Sequence, residues 1–198
     1  MLRDPRQRIL AAIAEIVAKR GYQSTTVEHI VKRAGVARAT FYENFENREA
    51  CLLACLAEFV EAIRRVTAAA AATEPEWPGG IRAGLAAFLD YVAANPVLAR
   101  TCMVESVTAG PTAIDCYEQA MGAFSPAFWR GRALVSATSE LPETLEDSLV
   151  GGIVWMVHQR LLRGEVEEIP GLLPTMVEFA LAPYLGERLA AEIAAVGP

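Results

Sequence analysis

Runs of alternating Val, Ile and Thr are scarce in this chain, which argues against a core built from strands. Histidine is rarer still: His29 and His158 stand far from each other and from every cysteine. The four cysteines, Cys51, Cys55, Cys102 and Cys116, lack the four-ligand spacing of a structural zinc site, so no metal is expected. Cys51 and Cys55 lie one helical turn apart and read as buried, reduced packing residues. Long apolar runs are missing too. The longest uncharged apolar stretch, from Leu149 to Val157, falls far short of the ~20 residues a membrane helix needs. Met1 to Arg8 is charged with no apolar segment behind it, unlike a signal peptide, so the expectation is a cytoplasmic protein. No nucleophile–base set, phosphate loop or carboxylate–histidine spacing is found, and neither enzymatic activity nor a cofactor is expected.

What is present is helical. The 198 residues are 53% hydrophobic, and alanine and leucine dominate the apolar positions. The net charge of -6 hides an asymmetry. Residues 1–48 hold nine Lys or Arg against five Asp or Glu, a balance of +4. The remainder holds nine against nineteen, a balance of -10. A basic head on an acidic body fits a small nucleic-acid-binding unit joined to a larger domain with other work.

The spacing predicts a first helix from Asp4 to Arg20, with Ile9, Ile13, Ile16 and Val17 inward and Gly21 as its stop. A second begins near Thr25, where Thr25-Thr26-Val27-Glu28 suggests a capping box. Gly35 turns the chain, and a third helix spans Arg38 to Asn44, with Ala37 in place of a capping serine. A long fourth helix runs from Arg48 to Ala72 behind Asn47, and Thr73 to Gly80 reads as a loop. Further helices are expected over Ile81–Ala94, Val97–Thr108, Thr112–Leu134, Pro142–Arg163 and from Pro170 to the Pro183–Gly186 region. A short alanine-rich tail follows. The predicted class is all-α: an N-terminal three-helix head with a helix-turn-helix (residues 1–46), plus a larger C-terminal helical bundle (47–198), about nine helices in all.

Two short helices joined by a glycine turn, with basic and aromatic residues on the second, form a unit whose second helix enters the DNA major groove. Here the ordered set is Ala34-Gly35-Val36, then Thr40-Phe41-Tyr42, then Phe45 and a basic residue at Arg48. Over Ile9 to Leu53 the chain resembles the TetR/AcrR-type transcriptional regulators. The resemblance implies a homodimer whose third helices enter successive major grooves of a palindromic operator. It implies that Thr25 and Thr26 touch phosphate, that Arg38, Ala39, Thr40 and Tyr42 face bases or adjacent backbone, and that Asn44 and Arg48 meet phosphate. Arginine can pair bidentately with guanine, and a threonine methyl can touch thymine. Glu43 and Glu46 add negative charge near this face.

By the same resemblance, the second domain binds a small molecule and the last two long helices form the dimer. Leu149, Gly152, Ile153 and Met156, with Leu172, Met176 and Phe179, are the interface candidates, and close approach would explain Gly151-Gly152. Phe59, Phe88, Tyr91, Met103, Tyr117, Met121, Phe124, Phe128, Trp155 and His158 are the candidates for lining a pocket. Their apolar character points to a mostly apolar effector. The expected function is a repressor released by that ligand. The alternatives are an activator, a regulator without an effector or, in another class, a helical carrier or enzyme.

Overall fold

The structure, a computed structural model, describes residues 4–135 and 141–196. Every regular element among them is helical. Contacts divide the chain into two compact units. The first holds residues up to 61 with 95–119, and the second holds 62–94 with the residues from 120 onward.

In the first unit, α1 (Pro5–Arg20) opens behind Asp4, whose carboxylate accepts from the Arg6 amide at 3.0 Å. Ile9, Ile13 and Val17 are fully buried along its inner face. α2 (Val27–Ala34) ends at Gly35, whose left-handed backbone (φ +62°) turns the chain sharply into α3 (Arg38–Asn44). Phe41 on α3 is fully buried and packs on Phe45 at 5.8 Å between ring centroids. α4 (Arg48–Ala71) starts behind Asn47, whose side chain accepts from the Ala50 amide at 2.8 Å. Its first half lays Cys51, Leu52, Cys55, Leu56 and Phe59 into this core. Glu58 is ion-paired with Arg6 and accepts from Gln7.

Residues 96–108 do not form the single α-helix expected. α6 (Pro96–Arg100) widens into a π-helical turn, Thr101–Glu105, and then a tight 3-10 turn, Ser106–Thr108. Hydroxyls compete for the backbone here. Thr101 donates to the Ala14 carbonyl at 2.7 Å, and Ser106 donates to the Cys102 carbonyl at 2.6 Å. α7 (Pro111–Gly122) follows.

In the second unit, α5 (Trp77–Ala94) begins four residues earlier than its spacing suggested, because Pro78 and the two glycines after it are tolerated in a first turn. The helix expected over Thr112–Leu134 is broken: after α7 come α8 (Pro126–Trp129) and a 3-10 turn, Arg130–Leu134. α9 (Leu145–Arg163) and α10 (Leu173–Leu185) are the long closing helices. Pro183 lies inside α10 instead of closing it, and the alanine-rich tail forms α11 (Glu187–Ala194). Leu89, Val92, Val157, Ile169, Met176 and Leu181 make the core. A polar anchor is set into it. The buried Glu146 carboxylate accepts from Arg132 Nε and Nη2 at 2.7 Å each, and from the Tyr184 hydroxyl at 2.9 Å. Hydrogen bonding to Arg132 holds the Glu146 carboxyl below the ordinary carboxylate range, while burial and the Glu146 hydrogen bond push the Tyr184 hydroxyl up.

Candidate nucleic-acid interface

The exposed surface of α3 carries Arg38, Ala39, Tyr42 and Asn44, with Thr40 half-buried beside them. Burial of Phe41 fixes this arrangement, since on a seven-residue helix the opposite side chains must then face outward. Arg38 Nη2 donates to the Tyr42 hydroxyl at 3.3 Å, and its guanidinium stands 5.6 Å from that ring's centre. Tyr42 also meets Phe41 edge-on at 5.4 Å. The two side chains are thus held as a pair. Asn44 donates to the Thr40 carbonyl at 2.7 Å, which leaves its side-chain oxygen outward as an acceptor. Ala37 offers α3 no side-chain cap.

Thr26, exposed, caps α2. Its hydroxyl accepts from the His29 amide at 3.2 Å, and its own amide donates to His29 Nδ1 at 3.3 Å. The capping box is therefore closed by His29, three residues on, and not by Glu28. The threonine–x–x–acceptor spacing carried that signal in the sequence, with imidazole in the acceptor's place. Arg20 from the end of α1 adds a guanidinium 3.2 Å from His29 Nε2. Neither Arg20 nor His29 was among the expected contacts.

Two expected contacts lie elsewhere. Thr25 is fully buried, and its hydroxyl donates to the Gly21 carbonyl at 2.8 Å. It closes a turn within the head and presents no side chain to solvent. Arg48 is half-buried. Its guanidinium lies over the Tyr22 ring, 4.0 Å from the centroid, and Nη1 donates to the carbonyls of Tyr22 and Thr25.

The expected ligand residues fall in both units. In the first, Phe59 and Met103 are buried and Tyr117 is half-buried, its hydroxyl pushed up by desolvation. In the second, Phe88 and Phe128 are buried, while Tyr91, Met121, Phe124 and His158 are half-buried. Trp155 is 60% exposed on α9 and stacks on His158 at 5.5 Å. Cys51, Cys55 and Cys102 are buried packing residues of the first unit. The bond its thiol donates to Cys55, together with burial, raises the Cys102 pKa, and burial raises that of Cys51.

Of the expected interface residues, Leu149, Ile153 and Met176 are buried within this chain's own second unit. They pack beneath α9 and α10. Gly152, Met156 and Leu172 are half-buried, and Phe179 is exposed. A Cβ at Gly152 would come within 2.7 Å of the Phe179 ring, so close approach does explain this glycine. Nothing stands within 4 Å of a Cβ at Gly151, where it explains nothing. Among the described residues, no helix is long and apolar enough to cross a membrane.

A basic three-helix head bearing an outward α3 is the arrangement of a helix-turn-helix regulator. Residues 9–55 match the family described as bacterial regulatory proteins, tetR family. The match covers the three-helix head and the start of α4. The chain is 35% identical over 57 residues to YvkB of Bacillus subtilis (strain 168), an uncharacterized HTH-type transcriptional regulator. That match covers 29% of this chain and 30% of that protein. It is 30% identical over 91 residues to the HTH-type transcriptional activator FasR of Mycolicibacterium smegmatis, covering 46% and 42%. These matches thus span less than half of the relatives' length. The whole fold is similar to two solved structures. The fatty acid degradation regulator FadR from Bacillus halodurans has a TM-score of 0.76 at 17% identity, covering 95% of this chain and 98% of that one. FadR from Bacillus subtilis, in complex with stearoyl-CoA, has 0.76 at 18%, covering 91% and 98%.

Proposed function

We propose that this chain is a sequence-specific DNA-binding transcriptional regulator that acts as a homodimeric repressor on a palindromic operator. The observation that carries the reading is the paired, exposed Arg38 and Tyr42 on α3 beside the capped amino end of α2. Residues 1–46 would engage DNA, and residues 47–198 would bind the effector and dimerise. Thr26, Arg38, Ala39, Thr40, Tyr42 and Asn44 are the proposed contacts. Phosphate neutralisation makes such a complex salt-dependent, moderated here by Glu43 and Glu46. Two heads must match major grooves about 34–36 Å apart, so an effector that favours another spacing lowers affinity.

The effector is a small, mostly apolar molecule. The stearoyl-CoA bound by the Bacillus subtilis FadR, with its long apolar acyl chain, supports this. A long acyl chain is therefore the class to test first. An activator role is the second reading, supported by the likeness to FasR.

Selection from a random double-stranded DNA pool tests the reading. Recovery of a palindromic motif, released by long-chain acyl-CoA, is the expected result. Recovery of no motif at low or physiological salt would overturn it.

A further inference from the structure

The resemblance places Arg48 on phosphate, but the geometry gives it another task. Arg48 is the first residue of α4. Its guanidinium covers the Tyr22 ring at 4.0 Å, and Nη1 donates to the carbonyls of Tyr22 and Thr25. Tyr22 and Thr25 are 4% and 0% exposed, so both anchor points belong to the packed core of the head. The loop they occupy is already folded on itself. The Thr25 amide donates to the Tyr22 carbonyl at 3.0 Å, and the Thr25 hydroxyl donates to Gly21. Arg48 caps that small knot from outside. The next residue, Thr26, is the cap of α2.

We infer that Arg48 is a positioning residue that ties the amino end of α4 to the amino end of α2, and not a phosphate ligand. The clamp acts through the Thr25 peptide on Thr26 and on the first turn of α2. It gives α4 a route to the DNA-facing end of α2 that bypasses α3. Lysine substitutes poorly, since its shorter side chain carries no planar group that can lie over the Tyr22 ring while one nitrogen donates to both carbonyls. The inference rests on the DNA-binding reading for its consequence, but not for its geometry.

Arg48→Lys and Arg48→Ala, in the full chain, separate the two roles. The duplex recovered by selection from a random pool is titrated against each protein over a series of salt concentrations. Amide exchange of free protein is followed in parallel. We expect both variants to bind about tenfold more weakly, the loss of hydrogen bonds from a charged donor. The slope of log affinity against log salt should stay that of the wild type. Exchange at the His29 and Ile30 amides should quicken, while the other helices exchange as before. Binding at wild-type strength by Arg48→Lys, with a slope shallower by about one in Arg48→Ala, would make Arg48 a phosphate contact and overturn the inference. So would unchanged exchange at α2, or faster exchange throughout the protein, which would mark a merely structural residue. If the wild type retains no duplex at any salt, the DNA-binding reading itself falls, and exchange at α2 alone decides for or against the clamp.

Discussion

The Tyr184 hydroxyl donates at 2.9 Å to Oε1 of the buried Glu146 carboxylate, the oxygen that also accepts from Arg132 Nε. Native Glu146 titrates below an ordinary carboxylate because Arg132 and Tyr184 hydrogen-bond its charged form. Its contribution to stability is therefore full above the unfolded carboxylate value and is lost as pH falls through the lower native one. Chemical denaturation at successive pH values should show this acid-side loss, and Glu146→Gln should flatten it. Tyr184→Phe should cost about 1–3 kcal/mol at neutral pH, because it removes a hydrogen bond to a charged acceptor. An unchanged acid limb in Glu146→Gln would contradict this account.

Arg38→Ala and Tyr42→Ala remove exposed side chains that touch each other and meet the core only where Tyr42 abuts the Phe41 ring. Each should weaken operator binding by about tenfold to a hundredfold, equivalent to ~1–3 kcal/mol for a good contact, with thermal unfolding unchanged. Because the two residues are in contact, the double variant should lose less than the product of the single losses. Fluorescence anisotropy on a labelled duplex measures all three.

Closure of the α2 capping box by His29 predicts that His29→Ala and Thr26→Ala each destabilise the head by about 0.5–2 kcal/mol. Glu28→Ala, outside the box, should be close to neutral. Thermal melts followed by circular dichroism compare the three. A larger loss from Glu28→Ala than from His29→Ala would reverse the assignment.

Glycines that look alike in the sequence should respond oppositely to alanine. At Gly131 a Cβ would collide with the Trp77 ring and fall 2.7 Å from that of Tyr184, so Gly131→Ala should destabilise by about 1–3 kcal/mol. At Gly151, within α9, nothing stands in the way, so Gly151→Ala should stabilise by up to ~1 kcal/mol through helix propensity. Unfolding in urea reports both changes.

Much of the head was legible from local pattern. Asp4, Gly21, Gly35 and Asn47 punctuate helices by backbone chemistry that acts within a few residues, and each sits where its spacing placed it. The body was less legible. A helical run through residues 97–108 reads smoothly, but the backbone opens into a π-turn at Thr101, whose hydroxyl bonds a carbonyl on α1, 87 positions away. Trp155 and Met176 share an apolar character that says nothing of which is buried. The first lies open on α9 and the second is sealed in the core.

Adjacent threonines show where the division falls. The sequence by itself determined the helical periodicity, the caps, the turn at Gly35 and the ordered motif of the head, because each follows from interactions between near neighbours. Only the tertiary structure decided that Thr25 turns inward while Thr26 faces solvent, and that Arg48 reaches back 23 residues to the Thr25 carbonyl. It also decided that Leu149 and Ile153 serve their own chain's core. The chemistry of such a residue is constant. Its role depends on which distant groups the packing of helices brings within a few ångströms.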